Sequence, residues 1–149
     1  MLRLVLVDDD ADDVYFFEQA CRSLSFELES IVLRDGAELY DFVIQGAGQS
    51  SLILLDLNMP GTGGFEVLSR LKREDLVSQL IICAYTTSVH LHDVNLSYQL
   101  GVKTYVPKPN TVPDLTELLA ELVKYWGEIA MLPESPLIQR RTRQTGGGL

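Results

Sequence analysis

The stretch SLILLDLNMPGTGGFEVL, residues 51–68, places an aspartate directly after a continuous apolar run. Residues 52–55 are all aliphatic, and the proline and glycines that follow Asp56 end the run. A short apolar run bounded by proline and glycine is typical of a parallel strand that is buried on both faces. Asp56 is therefore expected where a strand ends. Ligands collect at that edge of an open parallel sheet, although an aspartate there can also simply cap a turn.

The same alternation of strand and helix runs along the rest of the chain. Strands are predicted over residues 2–7, 31–33, 51–56, 79–85 and 102–106, and helices over 11–24, 37–45, 64–73, 90–100 and 113–130. Five such repeats predict an α/β fold, a doubly wound five-stranded parallel sheet with helices on both faces. Residues 1–130 then form one domain, and residues 131–149 are predicted to be a tail without an output domain.

Composition narrows the classes of function. The chain has 149 residues and a net charge of −9, which argues against direct nucleic-acid binding because that usually needs a basic surface. No apolar run reaches the roughly 18 residues of a membrane span, and the first residues read as a strand rather than a signal peptide. Cys21 and Cys83 lie too far apart to form a metal-binding pair and are expected in the core. We therefore expect a cytoplasmic protein.

Acidic, hydroxyl and basic side chains follow four of the predicted strands. Asp8 and Asp9 follow the first strand, Asp56 the third, Thr86 the fourth and Lys108 the fifth. Because parallel strands end at the same edge of a sheet, these side chains are expected to lie together. Clustered carboxylates repel one another unless a cation intervenes, and oxygen ligands suit Mg²⁺. The pattern predicts a magnesium site beside a lysine that can pair with a carboxylate or a phosphate.

Four segments carry a resemblance to a known family. LVDDD, LLDLNMPGTGGFEVL, YTTS and GVKTYVPKP have the order and spacing of the receiver domains of bacterial two-component response regulators, which have a flavodoxin-like fold. DDDADDVYFFEQA, together with TTS and DVNLSYQLGVKTY, most resembles the single-domain regulators that are paired with bacterial phytochromes. The resemblance covers about residues 1–130. It implies a sensor histidine kinase, a bacterial phytochrome among the candidates, as the partner.

The resemblance also implies a role for each site residue. Asp56 matches the aspartate that accepts the phosphoryl group, and Lys108 matches the lysine that binds phosphate, with a cis bond to Pro109. The implied Mg²⁺ ligands, for which Mn²⁺ can substitute, are Asp8, Asp9, Asp56 and the backbone carbonyl of Asn58. Thr86 and Tyr105 match the pair that rearranges on phosphorylation, so that the protein acts as a switch and not as an enzyme.

Two alternatives differ in class from a phosphorylated switch. A degenerate receiver that only binds partners would normally lack Asp9, Asp56 or Lys108, and all three are present. A small phosphatase with an aspartate nucleophile would need an acid two residues after Asp56, where Asn58 stands and cannot protonate a leaving group. The sequence therefore favours the switch.

Other polar residues have simpler interpretations. Asp10 is predicted to cap the first helix, with Asp12 and Asp13 as ordinary acidic residues of its first turn. A calcium loop is rejected because Asp13 and Gln19 stand where such a loop requires glycine and glutamate. His90 and His92 are expected at the surface.

Surplus apolar residues predict a homodimer. The fourth helix carries Leu91, Val94, Leu96, Tyr98 and Leu100, which spread beyond one face, and the last helix adds Tyr125. Apolar surface of this kind marks interfaces. The fourth helix, fifth strand and last helix are expected to form the contact, with tail residues Pro136, Leu137 and Ile138 reaching over the partner. The alternative is that the extra residues pack beneath the tail.

Overall fold

The computed structural model describes residues 2–133 and contains one parallel sheet with helices on both faces. The strands are β1 Arg3–Val7, β2 Ser30–Leu33, β3 Ser51–Leu55, β4 Ile81–Thr86 and β5 Thr104–Pro107. The helices are α1 Ala11–Arg22, α2 Gly36–Ile44, α3 Gly64–Arg73, α4 Leu91–Gln99 and α5 Val112–Lys124. The strand order is β2-β1-β3-β4-β5. The predicted fold is confirmed, and the predicted tail lies outside the described residues from residue 134 onward.

Alternate residues of the central strands build two separate cores. Val5, Val7, Ile53 and Leu55 face α2 and α3, whose buried residues include Leu39 and Leu68. The intervening residues of the same strands face α1 and α5, with Phe17, Leu115 and Leu119 among their partners. All five residues of β3 are buried, as the apolar run of residues 52–55 predicted for a strand covered on both faces.

The order of the strands places the acidic residues at the point where the chain reverses the direction in which it adds strands to the sheet. From β1 the chain moves outward to β2 and then crosses back to β3, so β1 and β3 are neighbours. Val7 is paired with Leu55, so Asp8 and Asp56 follow at the same level of the sheet. The backbone N–H of Asp56 donates to the carbonyl of Val7 at 3.0 Å. Ligand sites of open parallel sheets form at such a switch point.

Two local features differ from the predictions. The last helix was predicted to continue to residue 130, but its α-helical part ends at Lys124 and Tyr125–Ile129 form a wider π-helical turn. This turn packs against the start of the chain, since a Cβ added at Gly127 would lie 3.5 Å from the Leu2 side chain. A short 3₁₀ turn at Val77–Gln79, which was not predicted, precedes β4.

Candidate functional site

Three carboxylates meet at the carboxyl edge of the sheet. Asp8, Asp9 and Asp56 each place an oxygen so that the three atoms lie within 4.8 Å of one another. Asp8 and Asp56 are buried, whereas Asp9 is exposed. The structure thus brings together three of the predicted metal-binding residues, with one side of the group open to solvent.

Backbone N–H groups hold the two buried carboxylates in place. Asp8 Oδ1 accepts from the N–H of Asp10 at 3.0 Å, and Asp56 Oδ1 accepts from the N–H of Asn58 at 3.0 Å. Each aspartate thus bonds the N–H two residues ahead, as in the Asx turns that end strands. The remaining oxygen of each carboxylate, Oδ2, is the one that contacts Lys108.

Close packing behind Asp56 requires a glycine. A Cβ at Gly64, the first residue of α3, would lie 2.5 Å from the carbonyl oxygen of Asp56 and 2.7 Å from Cα of Leu57. Both distances are far below van der Waals contact, and both atoms belong to the backbone, so no side-chain rotation could relieve them. Gly64 therefore lets α3 begin directly against the end of β3.

Lys108 links the carboxylates from the end of β5. Its backbone N–H donates to the carbonyl of Thr86 at 2.9 Å, which carries the β4–β5 pairing one residue past the strand. Its ammonium lies 2.8 Å from Asp8 Oδ2 and 3.2 Å from Asp56 Oδ2. The side chain is only 7% exposed, so the lysine provides a buried positive charge between the two buried acids.

Burial and hydrogen bonding shift the pKa values of Asp8 and Lys108. Burial raises the pKa of Asp8 to about 6, although hydrogen bonds from Lys108 and the Asp10 N–H lower it. Burial alone would lower the pKa of Lys108, but hydrogen bonds to Asp13 and Asp8 more than offset it, so this pKa is raised. The lysine therefore remains positively charged throughout the physiological range.

Asp13 belongs to the site, which the sequence interpretation missed. The sequence predicts an ordinary residue of the first turn of α1, yet the Oδ2 atom of Asp13 lies 2.6 Å from the Lys108 ammonium. Asp10 is the helix cap as predicted, accepting from the N–H groups of Asp12 and Asp13. One signal was available: Asp13 precedes the buried Phe17 and Ala20 by four and seven residues, which places it on the inward face of α1.

Thr86 and Asn58 connect the loop after β3 to the end of β4. Thr86 is fully buried at the end of β4, and its hydroxyl accepts from the side-chain amide of Asn58 at 3.0 Å. The predicted role of Asn58 uses its backbone carbonyl, and the contact of its side chain was not predicted. Its role as a ligand through the carbonyl stays a prediction.

Tyr105 lies in β5 and contacts the loop that follows β4. Its ring is half-buried, and its hydroxyl donates to the carbonyl of Ser88 at 2.8 Å. Ser88 in turn donates to Asp93 of α4 at 2.7 Å. The tyrosine is therefore tied to the loop that leads from Thr86 into α4.

The remaining predictions about single residues have mixed outcomes. The described peptide bonds are all trans, so the predicted cis bond between Lys108 and Pro109 was wrong. Trans is the lower-energy form of such a bond, and Lys108 reaches both buried acids with it. His90 and His92 are exposed, as predicted. Cys83 is buried and Cys21 half-buried, and both are free thiols.

The donor set fits a hard divalent cation. The carboxylates of Asp8, Asp9 and Asp56 offer only oxygen, which Mg²⁺ and Mn²⁺ prefer over softer ligands. Two of the three are already fixed by backbone hydrogen bonds, and the exposed Asp9 leaves one side open for bound water. Lys108 neutralises only part of the negative charge of these carboxylates, so a bound divalent cation would neutralise more of it.

None of the helices between residues 2 and 133 combines the length and the apolar character that crossing a bilayer requires.

Comparison with known proteins agrees with this geometry. Residues 4–120 match the model of the response regulator receiver domain. Response regulator Rcp1 of Synechocystis sp. is 31% identical over 135 residues, which cover 87% of this chain and 92% of Rcp1. The solved Mn²⁺-bound form of Rcp1 superposes with a TM-score of 0.71 and covers 90% of this chain and all of that chain (100%).

Two other solved structures are similar to this chain. The phosphorylated cyanobacterial phytochrome response regulator RcpA is 28% identical, with a TM-score of 0.75, and the match covers 89% of this chain and 99% of RcpA. The bacteriophytochrome response regulator RtBRR is 32% identical, with a TM-score of 0.66, and the match covers 97% of this chain and 91% of RtBRR. The resemblance to phytochrome-associated single-domain regulators is confirmed.

These matches also confirm that the family is one of regulators in two-component signal transduction rather than of catalytic enzymes. The acids that follow β1 and β3, the lysine that follows β5 and the match over residues 4–120 lead to one conclusion: the chain belongs to the response regulator receiver domain family.

Proposed function

We propose that the chain is a single-domain response regulator that accepts a phosphoryl group on Asp56 from a histidine of a sensor kinase and then changes its binding to partners. The observation that carries the proposal is the position of the Lys108 ammonium, 2.8 Å from Asp8 and 3.2 Å from Asp56, inside the group of three carboxylates. A degenerate receiver would have no need to keep this costly arrangement of buried charges.

The chemistry needs charge neutralisation and positioning. A Mg²⁺ ion held by Asp8, Asp9, Asp56 and the Asn58 carbonyl would reduce the repulsion between the carboxylates and the incoming phosphoryl group, and Mn²⁺ would serve equally. One carboxylate oxygen of Asp56 forms the new bond to phosphorus while the phosphorus–nitrogen bond of the donor breaks, and the electron pair of that broken bond leaves with the imidazole. Lys108 pairs with a phosphoryl oxygen.

The new group adds a charge of about −1.5 to −2 at the end of β3. We infer that the Thr86 hydroxyl leaves Asn58 and donates to a phosphoryl oxygen, since an anion is the stronger acceptor. This shift moves the loop of Ser88, to which the Tyr105 hydroxyl is bonded. Tyr105 then turns inward, and the surface formed by α4 and β5 changes.

The partners are inferred from relatives and from the surface. The names of RcpA and RtBRR refer to phytochromes, which supports a phytochrome-type sensor kinase as the phosphoryl donor. Leu91 and Tyr98 on α4 are 71% and 48% exposed, and Tyr125 is 49% exposed, so a homodimer through α4, β5 and α5 would cover apolar surface. The free thiols of Cys21 and Cys83 support a cytoplasmic place of action.

Intact-mass spectrometry with acetyl phosphate as donor tests the phosphorylation. We expect wild-type protein to gain one phosphoryl group when Mg²⁺ is present, and to gain none in EDTA. Asp56→Asn should gain none in either condition, while Asp12→Asn, a change of the same charge at an exposed site, should label like the wild type. Equal labelling of wild type and Asp56→Asn would overturn the assignment.

A further inference from the structure

The Lys108 ammonium has no free donor for a phosphoryl group. A lysine carries three N–H donors and no acceptor. In this structure they point to three carboxylates: Asp13 at 2.6 Å, Asp8 at 2.8 Å and Asp56 at 3.2 Å. Lys108 can therefore bond a phosphoryl oxygen only after one of these contacts is released.

The three carboxylates differ in how well water can replace the lysine. The Asp8 side chain is 0% exposed and the Asp56 side chain 7%, so neither can be solvated where it stands. The Asp13 side chain is 31% exposed and lies on a cavity of about 200 Å³ that Phe16, Thr87 and Lys108 also line. Water can replace the lysine at the partly exposed Asp13 but not at the two buried acids, so the contact to Asp13 costs least to lose.

Geometry also favours release of the contact between Lys108 and Asp13. A phosphoryl group bonded to Asp56 lies beside that residue, so Lys108 can keep its place next to Asp8 and still reach the new group. Asp13 approaches from α1 and not from a strand end, and it is not one of the three acids that would hold the metal.

We propose that Asp13 is a positioning residue that holds the Lys108 ammonium in the resting protein and gives it up to the phosphoryl group on Asp56. The proposal rests on the proposed function of Asp56. This handover of Lys108 from Asp13 to the phosphoryl group also links phosphorylation to α1. It releases the first turn of that helix from the loop between β5 and α5. Asp13 thereby competes with phosphate for the lysine.

The first test compares phosphorylation rates of wild type, Asp13→Asn and Asp12→Asn with acetyl phosphate and Mg²⁺. Asp12 also lies in the first turn of α1 and is exposed, so its variant controls for the loss of one negative charge. We expect Asp13→Asn to be labelled about fivefold faster than wild type, the factor that a partly exposed ion pair of roughly 1 kcal/mol represents. Asp12→Asn should stay within about twofold, since its charge is exposed and screened by salt.

The second test detects the ammonium group directly, by nitrogen-15 NMR of the lysine side chains. Lys72, Lys103 and Lys124 are exposed, so their ammonium protons exchange faster with water than those of the buried Lys108, and Lys108→Arg assigns its signal. In resting protein, the Lys108 signal of Asp13→Asn should differ from that of wild type. With beryllofluoride and Mg²⁺ as a phosphoryl mimic, the two signals should coincide, because neither protein then retains the contact.

The outcomes separate this proposal from the proposed function. A difference in the Lys108 signal that persists with beryllofluoride would show that Asp13 is a permanent structural partner and would overturn the handover. Equal labelling rates for Asp13→Asn and Asp12→Asn would do the same. Wild-type protein that takes no phosphoryl group under any condition would instead contradict the role of Asp56, and the handover with it.

Discussion

The side-chain amide of Asn58 donates a 3.0 Å hydrogen bond to the hydroxyl of Thr86, which joins the loop after β3 to the end of β4. Asn58 is exposed and Thr86 is fully buried, so the bond satisfies a hydroxyl that water cannot reach. In the resting protein it fixes the position of the hydroxyl that is proposed to move on phosphorylation. The two residues therefore set part of the energetic cost of switching.

Removing the Asn58 amide should destabilise the resting protein and ease the switch. We expect Asn58→Ala to lower the free energy of unfolding by about 1 kcal/mol, since a buried hydroxyl loses the shorter of its two hydrogen bonds. Urea unfolding of Asn58→Ala, Thr86→Val and the double variant measures the coupling, which should be about 0.5–1.5 kcal/mol. Strictly additive effects would show that the hydrogen bond contributes nothing to stability.

Removing the Lys108 ammonium should have a much larger effect on stability. Lys108→Met leaves Asp8 and Asp56 as buried carboxylates without their cation, and breaking such a group costs roughly 3–5 kcal/mol. Urea unfolding in EDTA should show this loss, and Mg²⁺ should restore part of it. Lys124→Met, at an exposed position of α5, is the matched control and should change little. If both variants unfold alike, the buried charges would not depend on the lysine.

Neutralising Asp9 should raise thermal stability when no metal is present. Asp9 is the exposed member of the acidic group, so Asp9→Asn relieves repulsion without breaking a hydrogen bond to Lys108. A gain of about 1 kcal/mol would raise the melting temperature by roughly 2–4 °C in calorimetry with EDTA. The variant should also lose most of the stabilisation that Mg²⁺ gives wild type. Asp12→Asn controls for net charge, and a lower melting temperature for Asp9→Asn would mean that the carboxylate is held structurally.

The two cysteines should differ in reactivity. Burial raises the pKa of the Cys83 thiol to about 12 and that of Cys21 to about 11, so both stay protonated at neutral pH, where the thiolate is the reactive form. Cys21 is half-buried and should react slowly with a disulfide reagent at pH 8, whereas Cys83 should react only in urea. Raising the pH towards 10 should speed the reaction of Cys21 before that of Cys83. Rapid labelling of Cys83 in native protein would show that β4 opens easily.

The proposed homodimer depends on the exposed apolar residues of α4. Tyr98→Glu places a charge at a residue that is 48% exposed, and it should reduce dimer formation in sedimentation experiments. Phe26→Glu, at a residue 41% exposed on the loop between α1 and β2, is the control and should leave assembly unchanged. A chain that ends at Leu132 tests the contribution of the tail. Wild-type protein that remains monomeric at tens of micromolar, phosphorylated or not, would contradict the dimer.

Most of the fold could be predicted because its strands carry the simplest signal in the sequence. Residues 52–55 are apolar without alternation, which is typical of a strand covered on both faces, and β3 is such a strand. The end of the last helix could not be predicted in this way. Its apolar spacing continues past Lys124, but the backbone widens into a π-helical turn where Gly127 packs on Leu2, and that contact joins the two ends of the described chain.

The sequence by itself determined which side chains lie at the carboxyl edge of the sheet. Strands of one direction end on one side of a sheet, so Asp8, Asp9, Asp56 and Lys108 had to share that edge once their strands were recognised. Only the tertiary structure decided how they pair. Lys108 meets Asp13 across 95 positions of sequence, and Asn58 meets Thr86 across 28. Such contacts depend on the rotation of a helix about its axis and on the direction of each side chain, and the packing of the whole core sets both.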